Sequence, residues 1–370
     1  MRLVIDCFKL VKGKGKSIGI YNVALGIVRH LGEINSNHIS DGIEIVVLGN
    51  NINRNDFDVK GIKFIEVKNY NPFNKMHLVF WELLGVTRML EKLKADKVFF
   101  PRGFSALTHT VNDIVLVHDY IPFYYNEYFP GYLNRIENAY VMWRLKASVK
   151  NSKKIITISQ ASKEDIVKYS GVDEKKIVVI HNGCEELENK FDKIITAKYI
   201  CAMTSKLPHK NAKGIIQSYI EYCKIVKNPL DLVIIGLHDT NEFDVPNNIR
   251  DKIKCYRYVE SNDELHRIIA GSEVFLFLSL VEGFGLPPVE AIQLGIPVIC
   301  SNVRSLQEIV GEVAITVDPT NYAEVAHSIA NVLADNTISA KVKKESLIIK
   351  ENFSWKKASK RYWEELIGIL

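Results

Sequence analysis

Leu278-Ser279-Leu280-Val281-Glu282-Gly283-Phe284-Gly285-Leu286-Pro287-Pro288-Val289-Glu290-Ala291 reads as the end of a strand, a loop and the start of a helix. Residues 274–278 form an unbroken apolar run, as expected of a parallel strand covered on both faces. Gly283 and Gly285 let the backbone turn tightly and leave room for a ligand to approach. Pro287 and Pro288 suit the first helical turn, where a missing N–H costs nothing. Gly295 then stops the helix, and Ile296-Pro297-Val298-Ile299-Cys300 starts the next strand.

The first amides of a helix have no partners within it, and its N-terminus carries partial positive charge. The 283–286 turn is therefore a place for an anion or a ring of hydroxyls. Two carboxylates flank it, Glu282 before the turn and Glu290 inside the helix. Carboxylates accept hydrogen bonds from sugar hydroxyls, so a phosphate-plus-polyol ligand fits better than a bare anion. A plainer reading makes Glu282 a cap and Glu290 a solvated surface residue. The Gly-Phe-Gly-Leu-Pro between them favours the site.

Outward from this stretch, strand-like runs recur at 199–203, 232–235, 254–256, 297–300 and 314–317, alternating with helical patterns. Such alternation specifies a doubly wound parallel sheet. After the first of these strands comes Thr204-Ser205-Lys206-Leu207-Pro208-His209-Lys210-Asn211, leading into a helix over 212–222. Lys210, at a helix start beyond a strand end, is expected to face the same crevice as Glu282, where an ammonium can neutralise a diphosphate. Elsewhere it would read as a solvated surface lysine.

The first half repeats the pattern. Strands are expected at 3–8, 43–48, 63–67, 98–100, 113–117, 154–158 and 177–180, with helices over 21–31, 76–94, 135–150 and 162–170. The glycine- and lysine-rich loop 9–19 suits phosphate. A Walker A loop would need glycine at Leu10, and a Rossmann G-x-G-x-x-G would need it at Ile18, so both fail. Gly15-Lys16-Ser17-Ile18-Gly19 matches G-x-S-x-G, but a nucleophile elbow follows its strand at once and this one does not. His118-Asp119 closes the 113–117 strand, the end at which such sheets bind ligands. A lone histidine is often structural; the strand terminus favours function. The aromatics Tyr120, Phe123, Tyr124, Tyr125, Tyr128, Phe129 and Tyr132 follow, able to stack on a sugar, sit at a membrane interface or pack on their own domain. Ser162 and Asp165 resemble helix-capping residues, and 184–193 reads as a linker.

With 370 residues the chain is long enough for two or three domains, each able to bury a core. A formal charge of +5 tolerates anionic ligands or membrane surfaces and lacks a nucleic-acid signature. The six scattered cysteines show no metal-ligand spacing and read as reduced core residues. No signal peptide or membrane-length apolar run is present, so a cytoplasmic protein is expected, or one at the inner face of the membrane.

Taken together, Gly15/Gly19, His118-Asp119, Ser159-Gln160-Ala161-Ser162, Asn182-Gly183, Lys210-Asn211, Glu282-Gly283-Phe284-Gly285-Leu286-Pro287 with Glu290-Ala291, and Phe353-Ser354-Trp355 resemble a retaining glycosyltransferase of family 4. The resemblance covers nearly the whole chain in order, and the Glu-Gly-Phe-Gly-Leu-Pro element is its most specific part. It implies the GT-B architecture, two doubly wound Rossmann-like domains facing across a cleft. The acceptor domain would cover 1–188 and the nucleotide-sugar domain 195–352, with a C-terminal helix in 353–370 returning to the first domain. It assigns catalysis to His118, Glu282 and Lys210. Donor binding would fall to Gly19, Ser205, Lys206, Lys210, Gly283, Phe284, Gly285, Leu286 and Glu290. Asp119, Tyr120 and Tyr124 are the acceptor candidates. Where the family often carries an arginine, five residues before the lysine, this chain has Ser205, with Lys206 beside it.

The implied activity is metal-independent transfer of a hexosyl or deoxyhexosyl unit (mannose, rhamnose or glucose type) to a saccharide or polyprenyl-linked glycan acceptor in cell-surface polysaccharide synthesis. The co-substrate is a nucleotide diphosphate sugar, with no bound cofactor, no nucleic-acid partner and scope for peripheral membrane association. Two other classes compete. One is a non-catalytic partner in a glycan-assembly complex. The other is an NAD(P)-dependent oxidoreductase, which the missing G-x-G-x-x-G disfavours.

Overall fold

The computed structural model describes residues 1–13, 18–37, 42–108, 111–187 and 194–368. The Gly15-to-Ser17 part of the phosphate-loop and elbow readings lies outside them, as do residues 188–193 of the expected linker. The chain divides into two units, Met1–Gly183 with Trp355–Leu370, and Cys184–Ser354.

The first unit holds seven strands, β1 (Arg2–Asp6), β2 (Glu44–Gly49), β3 (Lys63–Glu66), β4 (Lys97–Phe100), β5 (Asn112–Val117), β6 (Lys154–Thr157) and β7 (Ile177–Val179). They lie in the order β3-β2-β1-β4-β5-β6-β7, each neighbouring pair parallel. Val4 sits opposite Val46 on one side and Val98 on the other. Leu3, Val4 and Ile5 are all fully buried, so helices cover both faces, as right-handed crossovers between parallel strands require.

The second unit repeats the design with β8 (Tyr199–Met203), β9 (Asp231–Ile235), β10 (Ile253–Tyr256), β11 (Val274–Phe277), β12 (Val298–Ser301) and β13 (Ile315–Val317). Their order is β10-β9-β8-β11-β12-β13, again all parallel. Both sheets reverse direction of growth once, between β1 and β4 in the first and between β8 and β11 in the second. At such a switch point the loops leave the carboxyl ends in opposite directions and open a crevice. The doubly wound α/β expectation therefore holds in each unit.

Several local expectations are corrected. The first helix runs Ile18–Asn37, well past residue 31, because Asn35 donates to the Gly61 carbonyl at 2.7 Å and holds the last turns down. The 76–94 helix is three pieces, Lys75–Phe80, a π-helical turn Trp81–Gly85 and Val86–Leu93. The helix cap expected at Ser162 is Ser159, whose hydroxyl accepts from the Ser162 amide at 3.0 Å. The final helix, Trp355–Leu366, packs on the first unit. Trp355 stacks on His30 at 5.3 Å and lies so close to Gly26 that a Cβ there would be 2.0 Å from the indole.

Candidate functional site

The second unit builds its site at the β8/β11 switch point. β8 ends at Met203 and β11 at Phe277, and the two strands are hydrogen-bonded neighbours. The loops that follow them are tied together. The Leu280 amide donates to the His209 carbonyl at 2.7 Å, and the Thr204 hydroxyl donates to the Lys210 carbonyl at 2.7 Å. Asn211 completes the tie. It adopts a left-handed conformation (φ +53°) and caps the Ala212–Ile225 helix through the Gly214 amide at 3.1 Å. Its side-chain amide donates to the Leu278 carbonyl at 2.9 Å and the Pro319 carbonyl at 3.1 Å. Asparagine suits this position because it tolerates αL and carries both a donor and an acceptor.

These ties bring Lys210 and Glu282 into contact. The Lys210 ammonium donates to Glu282 Oε1 at 2.6 Å, with side-chain exposures of 26% and 10%. The ammonium also stands 5.6 Å above the Phe277 ring. Ser305 donates to the Glu282 carbonyl at 2.8 Å and so fixes the loop's backbone. Burial and the adjacent Lys210 hold the His209 imidazole at a pKa of about 4, so it adds no charge at neutral pH.

Beyond Glu282 the chain turns through Gly285 (φ +104°), the cap of the Leu286–Gln293 helix. A Cβ at Gly285 would come within 2.3 Å of Leu306 Cδ2, so glycine is required by conformation and by space. Pro287 and Pro288 occupy the first turn. Phe284 is buried and meets Phe353 edge-on at 5.6 Å; its ring is a core contact, leaving its backbone as the part able to serve a ligand. Glu290, on the same helix, is partly exposed, with His266 Nε2 3.9 Å from its carboxylate.

The residues at the family's arginine position behave differently. Ser205 accepts from the Leu207 amide at 3.3 Å within its own turn. Lys206 is exposed and pairs with exposed Glu242, which raises its pKa. An exposed pair of this kind contributes little, so it leaves Lys206 free to exchange partners.

In the first unit, His118 follows β5 and is buried, with Nε2–H donating to the Pro101 carbonyl at 2.9 Å. Burial lowers its pKa to about 4, so the imidazole is neutral. Its backbone carbonyl accepts from Ser162 at 3.1 Å. Asp119 accepts from the Ile121 amide at 3.1 Å, opening the next helix. Tyr120 does not suit acceptor contact, because it is 3% exposed, with its hydroxyl hydrogen-bonded to Ser170 at 2.6 Å; the ring belongs to the core. Tyr124 is half-buried and stacks on Tyr128 at 4.5 Å. Gly19 lies exposed in the first turn of its helix, with open space where a Cβ would be.

The sequence reading missed a charged cluster at this unit's own switch point. Glu82, from the π turn, is buried and accepts from Lys9, from Tyr140 at 2.8 Å and from Arg144 Nε at 2.9 Å. Arg102 donates to the Lys9 carbonyl at 3.0 Å, and half-buried Asp6, its pKa raised by desolvation, accepts from Trp81 Nε1 at 3.0 Å. The one available sign was an acid inside the otherwise apolar 78–86 run.

Each of the two parallel α/β units thus carries a polar cluster at its switch point. Family models match both halves, "Glycosyltransferase Family 4" over residues 25–186 and "Glycosyl transferases group 1" over 185–348. The chain belongs to glycosyltransferase family 4. It is 31% identical over 60% of its length to the O-antigen chain mannosyltransferase RfbU of Salmonella typhimurium, covering 63% of that protein. It is 26% identical over 65% of its length to O-antigen chain mannosyltransferase B of Escherichia coli, covering 66% of it. The chain thus matches somewhat under two thirds of the length of these relatives. Among solved structures, Anabaena Alr3699/HepE in complex with UDP and glucose aligns over 99% of both chains with a TM-score of 0.67 at 16% identity, which shows the GT-B fold.

Proposed function

We propose that this chain transfers a mannosyl unit, with retention of configuration, from a nucleoside diphosphate donor to a saccharide or polyprenyl-linked acceptor in cell-surface polysaccharide synthesis. The observation that carries the reading is the Lys210–Glu282 contact of 2.6 Å at the β8/β11 switch point. The mannosyltransferase relatives favour mannose over glucose or rhamnose.

Breaking the bond from the anomeric carbon to the phosphate oxygen builds positive character on the sugar and negative charge on the leaving diphosphate. In this reading Lys210 turns from Glu282 to that diphosphate, while Glu282 accepts hydroxyls of the sugar. The N-terminus of the Leu286–Gln293 helix adds partial positive charge, so the leaving charge is met by the protein rather than by a metal ion. Preorganised groups of this kind are each worth about 3 kcal/mol of barrier. Glu290 takes the ribose and Gly19 gives the phosphates room. The acceptor oxygen bonds to the anomeric carbon on the face the diphosphate leaves, and its proton passes to the departing phosphate oxygen. Neutral His118 offers its second ring nitrogen as an acceptor for a sugar hydroxyl.

Work at the inner membrane surface fits the exposed apolar residues of the first unit. Phe73, Met76, Phe80, Leu84, Ile136 and Trp143 are all exposed. Among the described residues no helix is long and apolar enough to cross a membrane.

Thermal shift with GDP-mannose, UDP-glucose, dTDP-rhamnose and the free nucleoside diphosphates tests the reading. Stabilisation by one base's diphosphate and its mannose conjugate is expected. No stabilisation by any of them would overturn it.

A further inference from the structure

We infer that the first unit carries a glycan-chain subsite, a groove about 12 Å beyond Asp119 that holds sugars of the acceptor away from its reacting end. The inference rests on the glycosyl-transfer reading, and its test separates the two.

The distance comes from the Ile121–Tyr128 helix, which starts just past His118-Asp119 and rises about 1.5 Å for each of its residues. At its far end a groove of about 570 Å³ opens against the first turns of the Arg135–Asn151 helix. That volume suits a small ligand. Part of the lining is aromatic. Half-buried Phe129 lies 5.6 Å from the ring of Tyr125, which is itself largely buried, and Tyr132 stands 5.5 Å from Tyr125. The lining also holds polar side chains. Arg135 is exposed and makes no hydrogen bond or ion pair with its side chain among the described residues, and the same holds for the Asn126 side chain. The Asn138 amide donates to the Pro122 carbonyl at 3.2 Å, while its side-chain oxygen accepts nothing among the described residues. Gly131 (φ +87°) lines the groove in a conformation that favours glycine, with open space beside its Cα.

A pyranose matches this mixed lining. Its C–H face packs on aromatic rings, and its hydroxyl edge takes donors from Arg135 and Asn126 and gives one to Asn138. A lipid chain or an apolar peptide would cover Arg135, Asn126 and Asn138 without pairing them, which costs free energy. A nucleic-acid strand would need a track of cations along its backbone, and the groove has one.

The test is calorimetric titration of the full chain with linear α-manno-oligosaccharides from the disaccharide upward, in the absence of donor. Wild type should bind longer oligomers more tightly than the disaccharide. Phe129→Ala and Arg135→Gln should each lose about tenfold in affinity for the longer ones, the loss expected of one stacked ring or one charge-assisted hydrogen bond. Arg135 is exposed, so its variant decides the matter even if Phe129→Ala folds poorly. Affinity independent of length, or an Arg135→Gln variant that binds as wild type does, would overturn the subsite. Length-dependent binding without any sugar transfer would instead count against the transferase reading alone.

Discussion

Replacing Lys210 by Met and Glu282 by Gln, singly and together, isolates the contact on which the donor site depends. At the observed 2.6 Å, opposite charges attract by about 6 kcal/mol at an effective dielectric constant of roughly 20. Desolvation works against this, since Glu282 keeps 10% and Lys210 26% of its exposure. The partial exposure of Lys210 screens the pair further, leaving a coupling of about 1–2 kcal/mol. Each single variant strands one charge beside a neutral partner. The double variant strands neither, so it should be more stable than the sum of the singles by that coupling. Urea denaturation of the four proteins, followed by fluorescence, gives the cycle. Additive losses within about 0.5 kcal/mol would show that the two side chains do not act on each other, and the site as described would fail.

Other outcomes follow from the same geometry. His118 has a folded pKa of about 4 against an ordinary value of 6.5. As pH falls from 6.5 towards 4 the unfolded chain takes up a proton that the folded one refuses, and about 3 kcal/mol of stability is lost across that window. His118→Gln should flatten the fall of Tm between pH 7 and pH 4.5; an unchanged slope would contradict the neutral assignment. Gly285→Ala should lower stability by about 2 kcal/mol, from the positive φ and the clash with Leu306, with loss of donor binding read by calorimetry. Gly26→Val should displace Trp355, raising amide exchange through the Trp355–Leu366 helix without altering exchange in β8 and β11.

The parts of the fold legible in sequence were those with local causes. Apolar runs such as 274–278 marked β11 because a strand covered on both faces needs no polar alternation. Gly285, Pro287 and Pro288 marked the turn and helix start because their backbone chemistry permits little else. Lys210 and Glu282 were each recognisable from a strand end, and the adjacency of β8 and β11 explains their meeting. What stayed hidden depends on partners distant in the chain. Lys206 turns to Glu242, Tyr120 to Ser170, and Glu82 to Lys9 and Arg144. No periodicity reports such pairings, because they are set by which loops the topology brings together. The aromatic segment divides the same way. Tyr120, Phe123 and Tyr125 face inward while Tyr128 and Tyr132 stay exposed, a split decided by the helix's seat on its neighbours.

The most direct test of the donor-site assignment is sugar transfer itself, measured by NMR with GDP-mannose and a manno-oligosaccharide acceptor for wild type and for Glu282→Gln. Wild type should form an α-linked product, with the configuration at the anomeric carbon kept, and the folded variant should be slower by about a hundredfold or more. A β-linked product, or a variant as fast as wild type, would contradict the account.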